Sequence, residues 1–259
     1  MSEWKYNLVA FNTIFSREIR RFMRIWPQTL LPPVITMTLY FVIFGAVIGS
    51  RVGEMGGFDY MTFVVPGLVM MSVITNSFTN VASSFFSNKF QKSIEELLVS
   101  PVPNWVILAG YTMGGVVRGL YVGVLVMLLG AFFIELQIHH VLVTLLAVFL
   151  TATLFALGGF INAIFAGKFD DIAIIPTFVL TPLTYLGGVF YSVDVLPEPW
   201  RQLSMLNPIL YQVNAFRYGI LGQDSGISIG WAFAVMTLAI VILAVWALHL
   251  LRVGKGLRS

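Results

Sequence analysis

Six apolar runs, each close to the length needed to cross a lipid bilayer, dominate this chain and leave few ways for it to fold. A span needs about 20 apolar residues. Residues 26–50, 60–86, 105–134, 141–165, 172–191 and 231–251 meet that requirement. With 58% hydrophobic and only 10% charged residues, the 259-residue chain has more apolar surface than a water-soluble core can hide. In lipid, backbone polar groups must be satisfied within the segment. The expected fold class is therefore an all-α integral membrane protein, a single transmembrane domain over residues 1–259.

Ahead of the first run, residues 1–25 form a basic amphipathic segment. Trp4, Leu8, Phe11, Phe15, Phe22 and Ile25 fall near one helical face beside Arg17, Arg20, Arg21 and Arg24. Such a helix lies in the headgroup plane, in contact with membrane lipids. No small-residue cleavage site follows, so the N-terminus is expected to be retained. With six spans both termini face the same side. That side carries eleven Lys and Arg residues, including Arg252, Lys255 and Arg258, against three on the other, Arg51, Arg201 and Arg217. The positive-inside rule then puts both termini in the cytoplasm.

Between spans two and three lies the longest charged interruption, residues 89–103. Ser93 with Glu96 three residues on reads as a capping box, and Pro101 and Pro103 stop the helix. Ile94, Leu97 and Leu98 share one face, while Lys92, Glu95 and Glu96 lie off it. A loop that only joins two spans needs no amphipathic helix with its own start and stop, so residues 89–100 read as a docking element for a partner.

Span two carries a polar stripe, Ser72, Asn76, Thr79, Asn80 and Ser83, which serves either interhelical packing or the lining of a pathway. Span three holds a glycine ladder at Gly110, Gly114, Gly115, Gly119 and Gly123, which permits close approach of another helix. Within the ladder sits Arg118, thirteen residues past Trp105 and so about 20 Å in, near mid-membrane. An arginine there costs at least ~2.5 kcal/mol, so it faces protein or water. It is either a contact for an anionic substrate group or gate, or the structural partner of a residue such as Asn162. After span four, Asp170 and Asp171 suit helix capping better than metal or acid–base work. Pro176 and Pro182 interrupt span five, and residues 192–230 are too polar to span. Pro197, Pro199 and Trp200 begin one short helix there, and Asn207-Pro208 begins a second carrying Tyr211, Phe216 and Tyr218. Both are expected to dip into the outer leaflet as re-entrant helices.

The chain has no cysteine, no phosphate-binding glycine loop and no serine-hydrolase or zinc-protease motif. His139 and His140 alone make a poor metal site. No carboxylate falls in mid-membrane to couple transport to protons. An enzyme has nothing to stand on here, and energy for transport would come from a partner.

The chain resembles ABC-2 type transporter permeases, the membrane subunits of a class of bacterial ABC exporters. The resemblance covers essentially the whole chain, and these residues carry it. They are Ile94 to Pro103, Phe169-Asp170-Asp171 with Pro176-Thr177-Phe178, Leu186 to Pro197, and Leu206-Asn207-Pro208 with Phe216-Arg217. The resemblance implies a homodimer of six-helix permeases in the bacterial inner membrane, bound to two copies of an ABC ATPase that carry the ATP and magnesium. The chain itself would bind no cofactor and no nucleic acid. It further implies that residues 89–100 are the coupling helix, with Lys92, Glu95, Glu96, Leu97, Leu98 and Pro101 facing the ATPase. Ser72, Asn76, Asn80, Arg118 and Tyr191 are the candidates for a substrate pathway exporting an amphipathic, lipid-like or glycan molecule. A non-transporting membrane scaffold that docks a soluble partner is the alternative.

Overall fold

A computed structural model describes residues 3–222, 227–254 and 256; Lys255 and Arg258 of the terminal basic cluster lie outside the described residues. Helix α1 (Glu3–Arg24) leads into α2 (Trp26–Val42), where Pro27 occupies the first turn, needing no N–H there. A π-helical stretch (Ile43–Gly49) and α3 (Ser50–Val52) extend α2 to a two-residue hairpin, β1 (Glu54–Met55) and β2 (Phe58–Asp59). The Asp59 carboxylate accepts the Met61 N–H at 3.1 Å and so caps α4 (Tyr60–Phe90). There follow α5 (Ser93–Val99), α6 (Asn104–Gly130) and α7 (Val141–Phe165). Next come α8 (Asp171–Ile175), a π turn (Pro176–Leu180) and α9 (Thr181–Tyr185). A 3-10 turn (Val193–Val195), α10 (Glu198–Met205), α11 (Pro208–Leu221) and α12 (Ile229–Val253) complete the chain.

Five of these segments are long and apolar enough to cross a bilayer: Trp26–Val52, α4, α6, α7 and α12. The α8–α9 segment, read above as part of a span over residues 172–191, is helical only to Tyr185, and Gly188 turns the chain with φ +71°. Pro176 and Pro182 each remove an N–H from the helical ladder, which accommodates them through the π turn.

The bundle is organised around α4, the least hydropathic of the five long helices and the most buried, packed between α6 and α7. At the other extreme, α2 and α12 turn most of their surface outward as rows of exposed Ile, Leu, Val and Trp. A membrane bundle has no water-driven reason to bury leucine, so small and polar side chains go to the helix contacts. Gly159 of α7 shows how close that contact is: a Cβ there would collide with the backbone carbonyl of Phe78.

The glycine ladder of α6 serves two different neighbours. Gly110 and Gly114 seat α1, where added Cβ atoms would lie 2.6 Å from Ile14 and from Glu18. Gly115, Gly119 and Gly123 seat α4 against Val81, Ser77 and Val73. Four residues along α1 match four along α6, so α1 runs beside α6 for at least a turn. Its Trp4, Leu8 and Val9 remain exposed, while Asn7, Ile14, Glu18 and Phe22 are buried.

Candidate functional site

Residues of interest gather at one end of the bundle, the end that carries the arginines of α1 and the lysines of the α4–α5 turn. Helix α4 runs on to Phe90, and the chain then reverses through Lys92, the only non-glycine residue at positive φ among the described residues (+59°). Ser93 does not cap α5. Its hydroxyl donates back to the Asn88 carbonyl at 3.1 Å, and the α5 N-cap position falls to Lys92 with no side-chain bond. The expected capping box is therefore absent, because the preceding helix has already claimed the serine. The apolar face of α5 is present: Ile94 is buried, and Leu97 and Leu98 pack partly buried against the core. Lys92, Glu96 and Pro101 are exposed and Glu95 is half-buried.

Lys89 binds the same corner to α7. Its ammonium donates to the carbonyls of Ile164 at 2.6 Å and Ala166 at 2.7 Å, acceptors that a helix C-terminus leaves free. Asp171 does not cap α8. Its Oδ2 accepts the N–H groups of Gly167 and Lys168 at 2.8 and 2.9 Å, which draws in the loop and holds its carboxyl below the usual value of 3.8. Phe169 closes the corner by packing edge-on against Phe86 and Phe90.

Deeper in the bundle, the polar stripe of α4 and Arg118 of α6 meet. Arg118 is 9% exposed. Its Nη1 donates to Asn80 Oδ1 and its Nη2 to Asn76 Oδ1, each at 3.3 Å. Asn162 is not its partner; that amide donates to the Ile172 carbonyl at 3.0 Å and ties α7 to α8. Asn76 in turn donates to the Ser72 carbonyl, and Ser72 donates to that of Val69. Arg21 of α1 reaches the same amide: its Nη2 donates to Asn80 Oδ1 at 2.7 Å and to the Asn80 carbonyl at 3.1 Å. Glu18, 1% exposed, supports Arg21 at 3.4 Å.

Two openings flank this cluster. A cleft of about 960 Å³ is lined by Arg17, Arg20, Arg21, Arg24, Glu18 and Asn88, among others. A cavity of about 320 Å³ between α2 and α4 is bordered by Arg118, Asn76, Thr75 and Thr79 of the bundle and by Gln28 to Tyr40 of α2. Thr75 and Thr79, with Met71, form the one strip of central α4 left open, and a second groove against Pro176, Thr177 and Thr181 adjoins it at Met71 and Thr75.

Tyr191 is not part of this cluster. It lies half-buried in the turn after α9, beside Phe190, whose carbonyl accepts the Tyr60 hydroxyl at 3.1 Å. Tyr60 and Asn80 are twenty residues apart on one helix, about 30 Å. That opposite end holds a residue whose role the sequence did not reveal. Arg217 of α11 is buried, with its guanidinium 3.8 Å over the Phe63 ring. It donates to the carbonyls of Gly188 at 2.8 Å and Phe63 at 3.2 Å, locking α11 and the post-α9 turn onto α4. Asn207 caps α11 as expected, its Oδ1 accepting the Ile209 N–H at 3.0 Å. His139 and His140 are structural: His139 Nδ1 pairs with the Ile220 carbonyl at 2.8 Å and the His140 ring stacks on Tyr218.

The almost wholly helical bundle, with five segments long and apolar enough to cross a bilayer, is that of a multi-pass membrane protein. The chain belongs to the ABC-2 type transporter family, whose model matches residues 9–221. It is 58% identical over 251 residues to the inner membrane transport permease YadH of Escherichia coli K12, covering 97% of this chain and 98% of that relative. More distantly, it is 24% identical over 186 residues to nodulation protein J of Rhizobium leguminosarum bv. viciae, covering 71% and 72% of the two chains. The same named protein of Sinorhizobium fredii is 26% identical over 180 residues, covering 69% of each.

Proposed function

We propose that this chain is the transmembrane subunit of an ATP-driven exporter of the inner membrane, with ATP and magnesium bound by a separate ABC ATPase. The observation that carries this reading is the way α5 is attached. Ile94 is buried in the bundle, Ser93 is bonded to Asn88, and a tight turn at Lys92 separates α5 from the central helix by only two residues. A push on α5 is therefore delivered directly to α4, the helix that carries Asn76, Asn80 and the open Thr75–Thr79 strip. The exposed Glu96 and Lys92, with half-buried Glu95, are the groups offered to an ATPase groove.

On the positive-inside rule the arginine-rich end, α5 and both termini face the cytoplasm. The open strip of α4, flanked by two grooves, is where a second copy closes a pathway, so the functional unit is a homodimer with two ATPase subunits. α10 and α11 then cover the exit end, held by Arg217. The amphipathic, lipid-like or glycan substrate passes along α4.

The test is purification from native membranes in mild detergent. An ABC ATPase should co-elute near one to one, and the double variant Glu95→Lys, Glu96→Lys should release it while the permease still elutes as a folded particle. Recovery of the protein without any ATPase in several mild detergents would refute the coupling role of α5 and move the scaffold alternative ahead.

A further inference from the structure

We propose that Arg118, with Arg21 across Asn80, forms a binding station for a phosphate-type anionic headgroup of an amphiphile, received in the cavity between α2 and α4. The step rests on the permease reading in that it names the chemistry of the group carried. Three observations converge on it.

First, the cluster has excess positive charge. Arg21 and Arg118 both bond to the single oxygen Asn80 Oδ1, at 2.7 and 3.3 Å, so the two donating nitrogens lie within about 6 Å of each other. The one carboxylate at hand, Glu18, pairs with Arg21 and approaches Arg17, not Arg118. Neutral amides are all that Arg118 has, and at 3.3 Å both bonds are at the long edge of the range.

Second, among the described residues two buried donors there lack hydrogen-bond partners, as does the acceptor Glu18 Oε1 on the α1 side. Arg118 Nε and Asn80 Nδ2 are buried and unpartnered among the described residues. Buried polar groups are ordinarily satisfied, and an anion with several acceptor oxygens is the ligand that would satisfy these.

Third, the surroundings suit an amphiphile. The cavity joins Arg118 to the hydroxyls of Thr75 and Thr79 and to the apolar side chains of Met37, Tyr40 and Met71. Along α2 it runs from Gln28 to Tyr40. Arg21 itself borders the arginine-lined cleft of α1, a strongly positive approach to the cluster.

The experiment uses the full chain in a non-ionic detergent, with radiolabelled dodecyl phosphate as probe and unlabelled dodecylphosphocholine as zwitterionic competitor. Saturable binding is expected, competed at least about tenfold better by unlabelled dodecyl phosphate than by dodecylphosphocholine. Arg118→Gln should weaken it about tenfold or more, since a charge-assisted bond is lost. Arg118→Lys should retain most of it. Asn76→Asp is the second variant: it supplies an internal counter-ion, so the protein should elute as a folded particle yet lose the probe.

Two sources offer this chemistry, a resident phospholipid and a transported amphiphile. Native mass spectrometry of protein extracted without probe separates them. Phosphatidylglycerol retained by the wild type and lost in Arg118→Gln identifies a resident lipid. Probe binding with no retained phospholipid identifies a transported one. Equal probe binding by the wild type, Arg118→Gln and Asn76→Asp, or equal competition by the two amphiphiles, overturns the proposal. Because no ATPase enters the assay, probe binding by a protein that failed to hold an ATPase would refute the coupling role and leave the anion site standing.

Discussion

Replacing Arg217 by methionine isolates one buried charge that holds together the end of the bundle opposite α5. Methionine keeps the length and apolar stem of the side chain and removes the guanidinium. The two shorter charge-assisted bonds, to the carbonyls of Gly188 and Phe63, disappear together with the stack on the Phe63 ring at 3.8 Å, and two longer ones at 3.4 Å, to the Val189 carbonyl and Asn214 Oδ1, add little. Each of the shorter bonds is worth about 1.5 kcal/mol at the low end and a desolvated cation–π contact about 2 kcal/mol. Against that gross loss of about 5 kcal/mol stands the cost of burying a charge, of which the variant recovers about 2 kcal/mol. A net loss of about 3 kcal/mol remains, and for a chain of this size it corresponds to a fall in melting temperature of roughly 6–12 °C. Heating the detergent-purified protein and measuring the surviving monodisperse fraction by size-exclusion chromatography gives the number. Arg217→Lys should fall between the wild type and Arg217→Met, because a point charge cannot stack and fork at once. A drop of less than about 2 °C for the methionine variant, or identical behaviour of lysine and methionine, would refute the account.

Gly159→Ala should cost about 1–3 kcal/mol by forcing α7 off the Phe78 backbone, whereas Gly158→Ala, whose Cβ meets only the Phe78 ring at 3.5 Å, should be near neutral in the same melting assay. Gly114→Val should lift α1 from α6, and in this cysteine-free chain a cysteine at the buried Phe22 should then react with maleimide markedly faster than in the Gly114 background. Thr75→Cys, on the open strip of α4, should cross-link two copies through a short bis-maleimide if the pathway closes between protomers; a monomer band under conditions that preserve the dimer would place the interface elsewhere.

The short helix α5 was legible because it is written in local chemistry: charges between two apolar runs, an apolar triplet at helical spacing and two closing prolines. Its start was not, because whether Ser93 caps α5 or completes α4 depends on how far α4 runs, and α4 continues to Phe90. The polar stripe and Arg118 were each visible as costly residues in apolar helices. Their meeting was invisible, since it depends on the rotation of α4 and α6 about their axes. Asn162 was an equally reasonable partner by chemistry and is turned toward Ile172 instead. Nothing in the sequence singled out Glu18; it is buried because Gly110 and Gly114 leave a groove into which that side of α1 settles.

Sequence alone determined that this chain lives in a membrane, that it is helical, and where prolines and charges interrupt its helices. Those properties follow from the transfer free energy of single residues and from backbone geometry, both of which are local. Only the tertiary structure decided that the least apolar long helix is the centre, that two arginines share one asparagine, and that Arg217 locks the far end. In lipid, helices are matched by close packing and by the pairing of scarce polar groups rather than by hydrophobicity, so the choice of neighbour lies in side-chain geometry that hydropathy does not encode.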